Sequence, residues 1–194
     1  MIPTSWQDNT PSISVRASTV IGLPSPKALL SNRFSSVRIG SDPSIGKHCI
    51  IYSNVFIGNH FSCGDNVMIR EGAAIGDFVT IKNHCFVDSG VSIADKVTIE
   101  PEVFIPRSAT IGEGVFVGPN VMFLQDAPHV KTRAKRRPGV TLEDGCMISA
   151  NAILHPGVCV GEGARVAGGT VVTEHVPPRV YASGNPMRFR SLEE

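Results

Sequence analysis

Large rings are scarce in this chain of 194 residues: aromatics make up 6%, as nine Phe, two Tyr and one Trp. A compact layered core normally relies on rings to fill space, so something narrower is being packed here. Net charge is also nearly absent, at +1, which excludes a global pull toward nucleic acid or an anionic membrane. No apolar run approaches the length of a membrane span, and the N-terminus lacks the basic-then-apolar stretch of a secretion signal. The five cysteines, at 49, 63, 85, 146 and 159, are odd in number and contain no CxxC pair. That pattern argues against a disulfide framework or a zinc cluster and sets the expectation of a reducing, cytoplasmic compartment. What is present is a 42% hydrophobic, 18% charged composition, ordinary for one soluble folded domain, together with 19 Gly and 14 Pro.

Internal periodicity has to be tested before helices or strands are assigned. From Ile39 an apolar residue recurs every six positions, through Ile45, Ile51, Ile57, Cys63, Ile69, Ile75, Ile81, Val87, Ile93, Ile99, Ile105, Ile111, Val117 and Phe123. The phase then jumps to Leu142 and resumes at Ile148, Leu154, Val160, Val166 and Val172. A period of six is neither helical nor simple alternation. It fits a chain that runs short strands and turns a corner at each repeat, so that three repeats close one triangular coil. The first apolar residue of each hexad then points inward and stacks on its equivalent roughly 4.8 Å away. An ordinary β-sandwich with an accidental repeat is the alternative. Gly, Asn and Asp near the corners, as in Gly58-Asn59, Gly64-Asp65-Asn66, Gly76-Asp77 and Gly112-Glu113-Gly114, suit turns that need left-handed backbone conformations.

Over residues 39 to 176 this repeat resembles that of the left-handed parallel β-helix acyltransferases. The resemblance implies an all-β, left-handed parallel β-helix of about seven triangular coils, against the usual right-handed crossover rule. Seven coils make a prism roughly 34 Å long. Residues 1–38 and 177–194 lack the phase and carry several prolines; they are expected to form an N-terminal cap or arm and a C-terminal tail.

The phase break, about residues 128–141, is where a site is expected, because a loop ejected from a repeat costs regularity. It holds His129, and Lys131, Arg133, Lys135, Arg136 and Arg137 concentrate five positive charges there. The remainder is 13 basic against 17 acidic residues, or −4, since five of the 18 Lys and Arg lie in the loop. Two readings stay open: a loop that meets phosphates of coenzyme A or of a nucleotide-linked substrate, or a solvated loop made basic for solubility. His129 is likewise either a base for an attacking amine or hydroxyl, or a surface histidine. His84 lies in register with Glu102 and Asn120 one and two coils on, so these three share one corner, either as substrate-binding groups or as a solvated edge.

The run Val115-Phe116-Val117-Gly118-Pro119-Asn120-Val121-Met122-Phe123, followed by Leu124-Gln125-Asp126, is similar to a segment of N-acetyltransferases acting on nucleotide-linked amino sugars. Those enzymes typically carry Phe-Thr-Asn-Asp there. Gln125 replaces the asparagine that, by resemblance, lies beside the acceptor sugar, and Asp126 keeps the pattern. Ala127-Pro128-His129-Val130 replaces the usual Pro-Arg. Beyond the loop, Ile148-Ser149-Ala150-Asn151-Ala152-Ile153-Leu154-His155-Pro156-Gly157-Val158, Val166-Ala167-Gly168-Gly169-Thr170-Val171-Val172-Thr173 and Gly184-Asn185-Pro186-Met187-Arg188 resemble the family's coenzyme A segment. The resemblance implies that Ser149, Ala150, Ala167 and Gly168 let pantetheine approach the backbone, with Arg188 or Arg190 on its phosphates. Plain turn geometry accounts for the same small residues without a ligand.

What the resemblance implies about activity is acetyl transfer from acetyl-coenzyme A to an amine of a nucleotide-linked deoxyamino sugar by direct attack on the thioester, without a metal. Lys131 and Arg133 would contact the substrate, and His129, Gln125 and Asp126 would carry the chemistry. Some members of this branch are thought to use no protein base. A side-by-side homotrimer is expected, since flat prism faces expose apolar side chains unless another face covers them. Rival readings are an O-acetyltransferase of a sugar or antibiotic, a non-catalytic hexapeptide scaffold, and a metal-dependent carbonic anhydrase of the same fold. The last needs three imidazoles at one metal. No His-x4-His occurs, and 24 residues separate His60 from His84, which places them on different faces.

Overall fold

The computed structural model describes residues 14–15, 18–31, 35–125 and 139–192. Short strands of two to four residues alternate with corners, and all but the last pair in parallel with their equivalents in a neighbouring coil, as Thr80–Ile81 does with Thr98–Ile99. Three sheets of ten, eight and seven strands form the faces of a triangular prism, and among the described residues the one helix is Pro26–Ser31. The architecture is the expected all-β left-handed parallel β-helix of about seven turns. Following the chain, the first face holds Ser62–Cys63, the second Met68–Ile69 and the third Ala74–Ile75, and the order then repeats.

The inward columns are those of the six-residue period: apart from half-buried Ile39, every one of its apolar residues is buried. Each fully buried Ile contributes about 2 kcal/mol by leaving water. Between the strands, smaller residues such as Val67, Ala73, Val79 and Cys85 complete the same core, and among the described residues Phe61 and Phe123 are the only aromatic rings in it. The scarcity of aromatics is thus a property of the prism's narrow bore.

At the corners, the fourth residue of nearly every hexad has a positive φ. Glycine serves at some of these positions, but His48, Asn66, Phe78, His84, Lys96, Glu102 and Asn120 also adopt it, with φ between 55° and 60° for all but Glu102 at 64°. Two of the expected left-handed positions, Asn66 and Gly114, are of this kind. The glycines that directly follow the inward residue have a different cause. A Cβ on Gly58 would lie 2.3 Å from Asp77 Oδ1, on Gly64 1.9 Å from Asn83 Oδ1, and on Gly76 2.2 Å from Asp95 Oδ1. These glycines answer a close approach of the next coil, not a left-handed turn. The same carboxylates and amides accept hydrogen bonds from backbone N–H groups one coil back: Asn59 N donates to Asp77 Oδ1 at 2.6 Å, Asp65 N to Asn83 Oδ1 at 3.0 Å, and Asp77 N to Asp95 Oδ1 at 2.8 Å. Asn and Asp at these corners therefore tie coils together, meeting donors that the strand ladders leave over.

Parallel pairing begins before the sequence phase does. Ser14–Val15 joins the first face through Ser44–Ile45, and Val20–Leu23 joins the second through Ile50–Tyr52. Next to this end, Arg70 holds Glu71 through two hydrogen bonds of 2.8 and 3.1 Å and lies 4.7 Å over the Tyr52 ring. At the other end Val180–Ser183 extends the first face in parallel, and Arg188–Ser191 turns back antiparallel on it. The repeat is interrupted at the corner between the second and third faces, after Met122–Phe123, and register resumes with Thr110 opposite Thr141 and Ile111 opposite Leu142. The repeat resumes before the end of the expected 128–141 break, because Gly139 and Val140 already pack at the corner and Thr141 is in a strand.

Candidate active site

The corner between the first and second faces collects most of the residues singled out in the sequence. His84, Glu102 and Asn120 are stacked along it in consecutive coils, all exposed and all with positive φ. Backbone bonds across the coils hold the column: Glu102 N donates to Asn83 O and Asn120 N to Pro101 O, each at 3.1 Å. One coil beyond Asn120 come Ser149 and Ala150, and one further come Ala167 and Gly168. Ser149 N donates to Val166 O at 2.9 Å, Ala167 N to Ala182 O at 2.9 Å, and Gly169 N to Ala150 O at 3.0 Å.

Arg188 reaches the same corner by the antiparallel return, since it pairs with Ser183, which follows Ala182. Its side chain is exposed, and Nη1 donates to Met187 O at 3.1 Å. Small size is enforced at part of this ribbon. A Cβ on Gly118 would lie 2.7 Å from Ala150 N, and one on Gly168 3.2 Å from Ala150 O. The product is a strip with little side-chain bulk, running from Gly118 to Gly184 and ending at a cation. A narrow, polar chain with phosphates at one end is complementary to it in shape and charge.

Gln125 lies elsewhere. It is exposed at the corner between the second and third faces, so the strand Met122–Phe123 separates it from Asn120. Within one chain the structure does not bring these two residues together. One coil before Gln125 in the same row is Arg107, exposed, with Nε donating to Ser89 Oγ at 3.1 Å. Its spacing of 18 residues from Gln125 was the signal that could have drawn attention to it. Asp126, His129, Lys131 and Arg133 lie outside the described residues.

Two shallow cavities of about 340 and 330 Å³ lie along the third face, and none of the predicted site residues lines either. The second contains Cys159 and His175, where Nδ1 of the imidazole accepts the Cys159 amide N–H at 2.9 Å. Burial and the neighbouring Glu143 carboxylate push the Cys159 thiol up, so it is kept protonated rather than activated. His60, His84 and His155 sit at three different corners, and His60 stacks on Phe78 at 4.6 Å. Among the described residues no group of three or more His, Cys, Asp or Glu is placed to hold a metal ion. Among them, too, no helix is long and apolar enough to cross a membrane.

The repeat and the prism together define a hexapeptide-repeat parallel β-helix protein. Residues 139–174 match the family of bacterial transferase hexapeptide repeats, over six repeats. No curated protein matches the chain significantly. Among solved structures, the UDP-N-acetylglucosamine acyltransferase from Campylobacter jejuni aligns with 92% of this chain and 75% of its own, at a TM-score of 0.63 and 19% identity. The polySia-specific acetyltransferase NeuO aligns with 90% of this chain and 79% of its own, at a TM-score of 0.53 and 18% identity. At such identities the likeness is one of fold.

Proposed function

We propose that this chain is an acetyltransferase that moves the acetyl group of acetyl-coenzyme A onto an amine of a nucleotide-linked amino sugar. The observation that carries the reading is the ribbon of Ser149, Ala150, Ala167 and Gly168, which joins three separated coenzyme-like sequence segments into one strip ending at Arg188. The fold shared with two acyl-transferring enzymes supports it. In the reaction the amine lone pair attacks the thioester carbon, the tetrahedral intermediate collapses, and coenzyme A leaves as thiolate while the nitrogen loses a proton. His129 takes that proton, Gln125 and Asp126 orient the sugar, and Lys131 and Arg133 meet the phosphates.

The second face supports a homotrimer. Its outward positions are Val20, Ile50, Met68, Phe86, Phe104, Met122, Ile153 and Val171, an unbroken apolar ladder, and Met122 is 53% exposed. On the third face the equivalent residues include Arg38, Ser92, Thr110 and Thr141. Covering the ladder with a neighbouring copy would also bring Asn120 and Gln125 of different chains toward one cleft. Met122→Lys is expected to convert the trimer to monomer in size-exclusion chromatography with light scattering, with the prism itself intact by circular dichroism.

A thiol-release screen tests the reaction, run with nucleotide 3-amino and 4-amino sugars, simple sugars and aminoglycosides. Nucleotide amino sugars are expected to release coenzyme A, and His129→Ala to lower kcat by about 10²-fold, the lower end for a lost general base. Release only with hydroxyl acceptors would replace N-transfer by O-transfer. No release with any acceptor would remove the enzymatic reading.

A further inference from the structure

The core includes cysteines, whose thiol chemistry the packing of the prism does not require. Two of the five stand together at the N-terminal end. Cys63 occupies an inward position between Ile45 and Ile81 in the columns of the first face, where a larger side chain would otherwise sit. Cys49 lies at the following corner one coil earlier, in the column of Val67 and Cys85. Their sulfurs are 3.9 Å apart. Both are free thiols, Cys49 with no solvent exposure and Cys63 with 6%. The Thr19 hydroxyl holds Cys49 in place, since the Cys49 N–H donates to Thr19 Oγ1 at 3.2 Å, and that hydroxyl donates in turn to Gly46 O at 2.8 Å.

We propose that Cys49 and Cys63 form an oxidation site, a dithiol that peroxide converts to a disulfide stapling the first two full coils. A bond needs a sulfur separation of about 2 Å, so the sulfurs must close by roughly 1.9 Å, which side-chain rotation and a small coil adjustment supply. The contact between the two sulfurs lowers the Cys49 thiol and raises that of Cys63, while burial raises both. The bridge is the same whichever sulfur attacks first. One thiolate attacks one oxygen of hydrogen peroxide, the O–O bond breaks, and the departing hydroxide takes that thiol's proton to become water. The other thiol then attacks the resulting sulfenic sulfur, the S–O bond breaks, and a second water leaves with its proton. Two thiols lose two electrons, and one peroxide becomes two waters.

Neither sulfur belongs to the coenzyme-like ribbon, so the site stands apart from the proposed acetyl transfer. The test uses the intact native chain. It is exposed to dilute hydrogen peroxide, quenched, unfolded in iodoacetamide, digested, and mapped by mass spectrometry with and without dithiothreitol. The expected result is a loss of two of the five alkylatable thiols and a peptide pair joined through Cys49 and Cys63, which dithiothreitol separates. A Cys159→Ser chain, which lacks the partly exposed thiol, is expected to form the same bridge. Cys49→Ala is expected to abolish it and to leave Cys63 alkylatable, whereas the wild-type map needs no variant to fold. The proposal is overturned by Cys49 and Cys63 remaining alkylatable after peroxide has oxidised Cys159, by sulfinic acid at Cys49 without a bridge, or by a bridge that forms only in denaturant.

Discussion

Gly139→Ala is expected to destabilise the chain by about 3 kcal/mol, the upper part of the range for forcing an atom into packed surroundings. Gly139 is the first described residue after the phase break, and an added Cβ would fall 1.9 Å from Ser108 O and 2.3 Å from Ser108 C, both backbone atoms of the preceding coil. Those atoms cannot swing aside, because Ala109 O and Val140 O are engaged in the coil-to-coil ladder through Ser92 N and Thr110 N at 3.0 Å. Gly90 makes the matched comparison. It has φ +69° and nothing within 4 Å of the added carbon, so Gly90→Ala meets only the left-handed backbone penalty, about 1 kcal/mol. Chemical denaturation of the two variants beside the wild type checks the pair. Equal losses would mean that corner conformation, not coil spacing, limits which residues the prism accepts.

That contrast also marks what was legible in the sequence. The inward columns were, because burial acts on one residue in every six and a slip would expose an Ile. The corner chemistry was only half legible. Asn59, Asp65 and Asp77 belong to turn-forming residue types, but their side chains accept N–H groups from the neighbouring coil, a contact 18 residues away in sequence. Conversely, Phe78, Lys96 and Glu102 sit in left-handed conformations that single-residue preferences disfavour. Each is held by its amide bond to a carbonyl one coil back, as Phe78 N to Asn59 O at 2.8 Å, so the stack overrides the local preference. The N-terminal strand pairs were not legible, since residues before Ile39 cover only one end of the prism and carry no period. The same geometry divides the acceptor residues. Each hexad carries the chain around one corner, so Asn120 and Gln125, five residues apart, fall on opposite edges of the second face.

Ala167→Trp is expected to raise KM for acetyl-coenzyme A by about tenfold or more, equivalent to a loss of at least ~1.4 kcal/mol of binding. Ala167 lies in the middle of the small-residue ribbon and is half-buried, its N–H already given to Ala182 O. An indole there fills the strip along which pantetheine would run, without entering the core, so the melting temperature should hold. Ala74→Trp is the control: Ala74 is exposed on the third face, away from the ribbon, and its KM should stay within about twofold of the wild type. Arg188→Ala tests the other end of the strip. Loss of one charge-assisted contact to a phosphate predicts a rise in KM of roughly tenfold, steeper at low salt than at high. The three variants separate a bound coenzyme from mere turn geometry, because small residues needed only for the turn would make Ala167→Trp unfold the chain and leave Arg188→Ala silent. If instead Ala167→Trp folds and binds acetyl-coenzyme A as well as the wild type, the ribbon is not where the coenzyme lies.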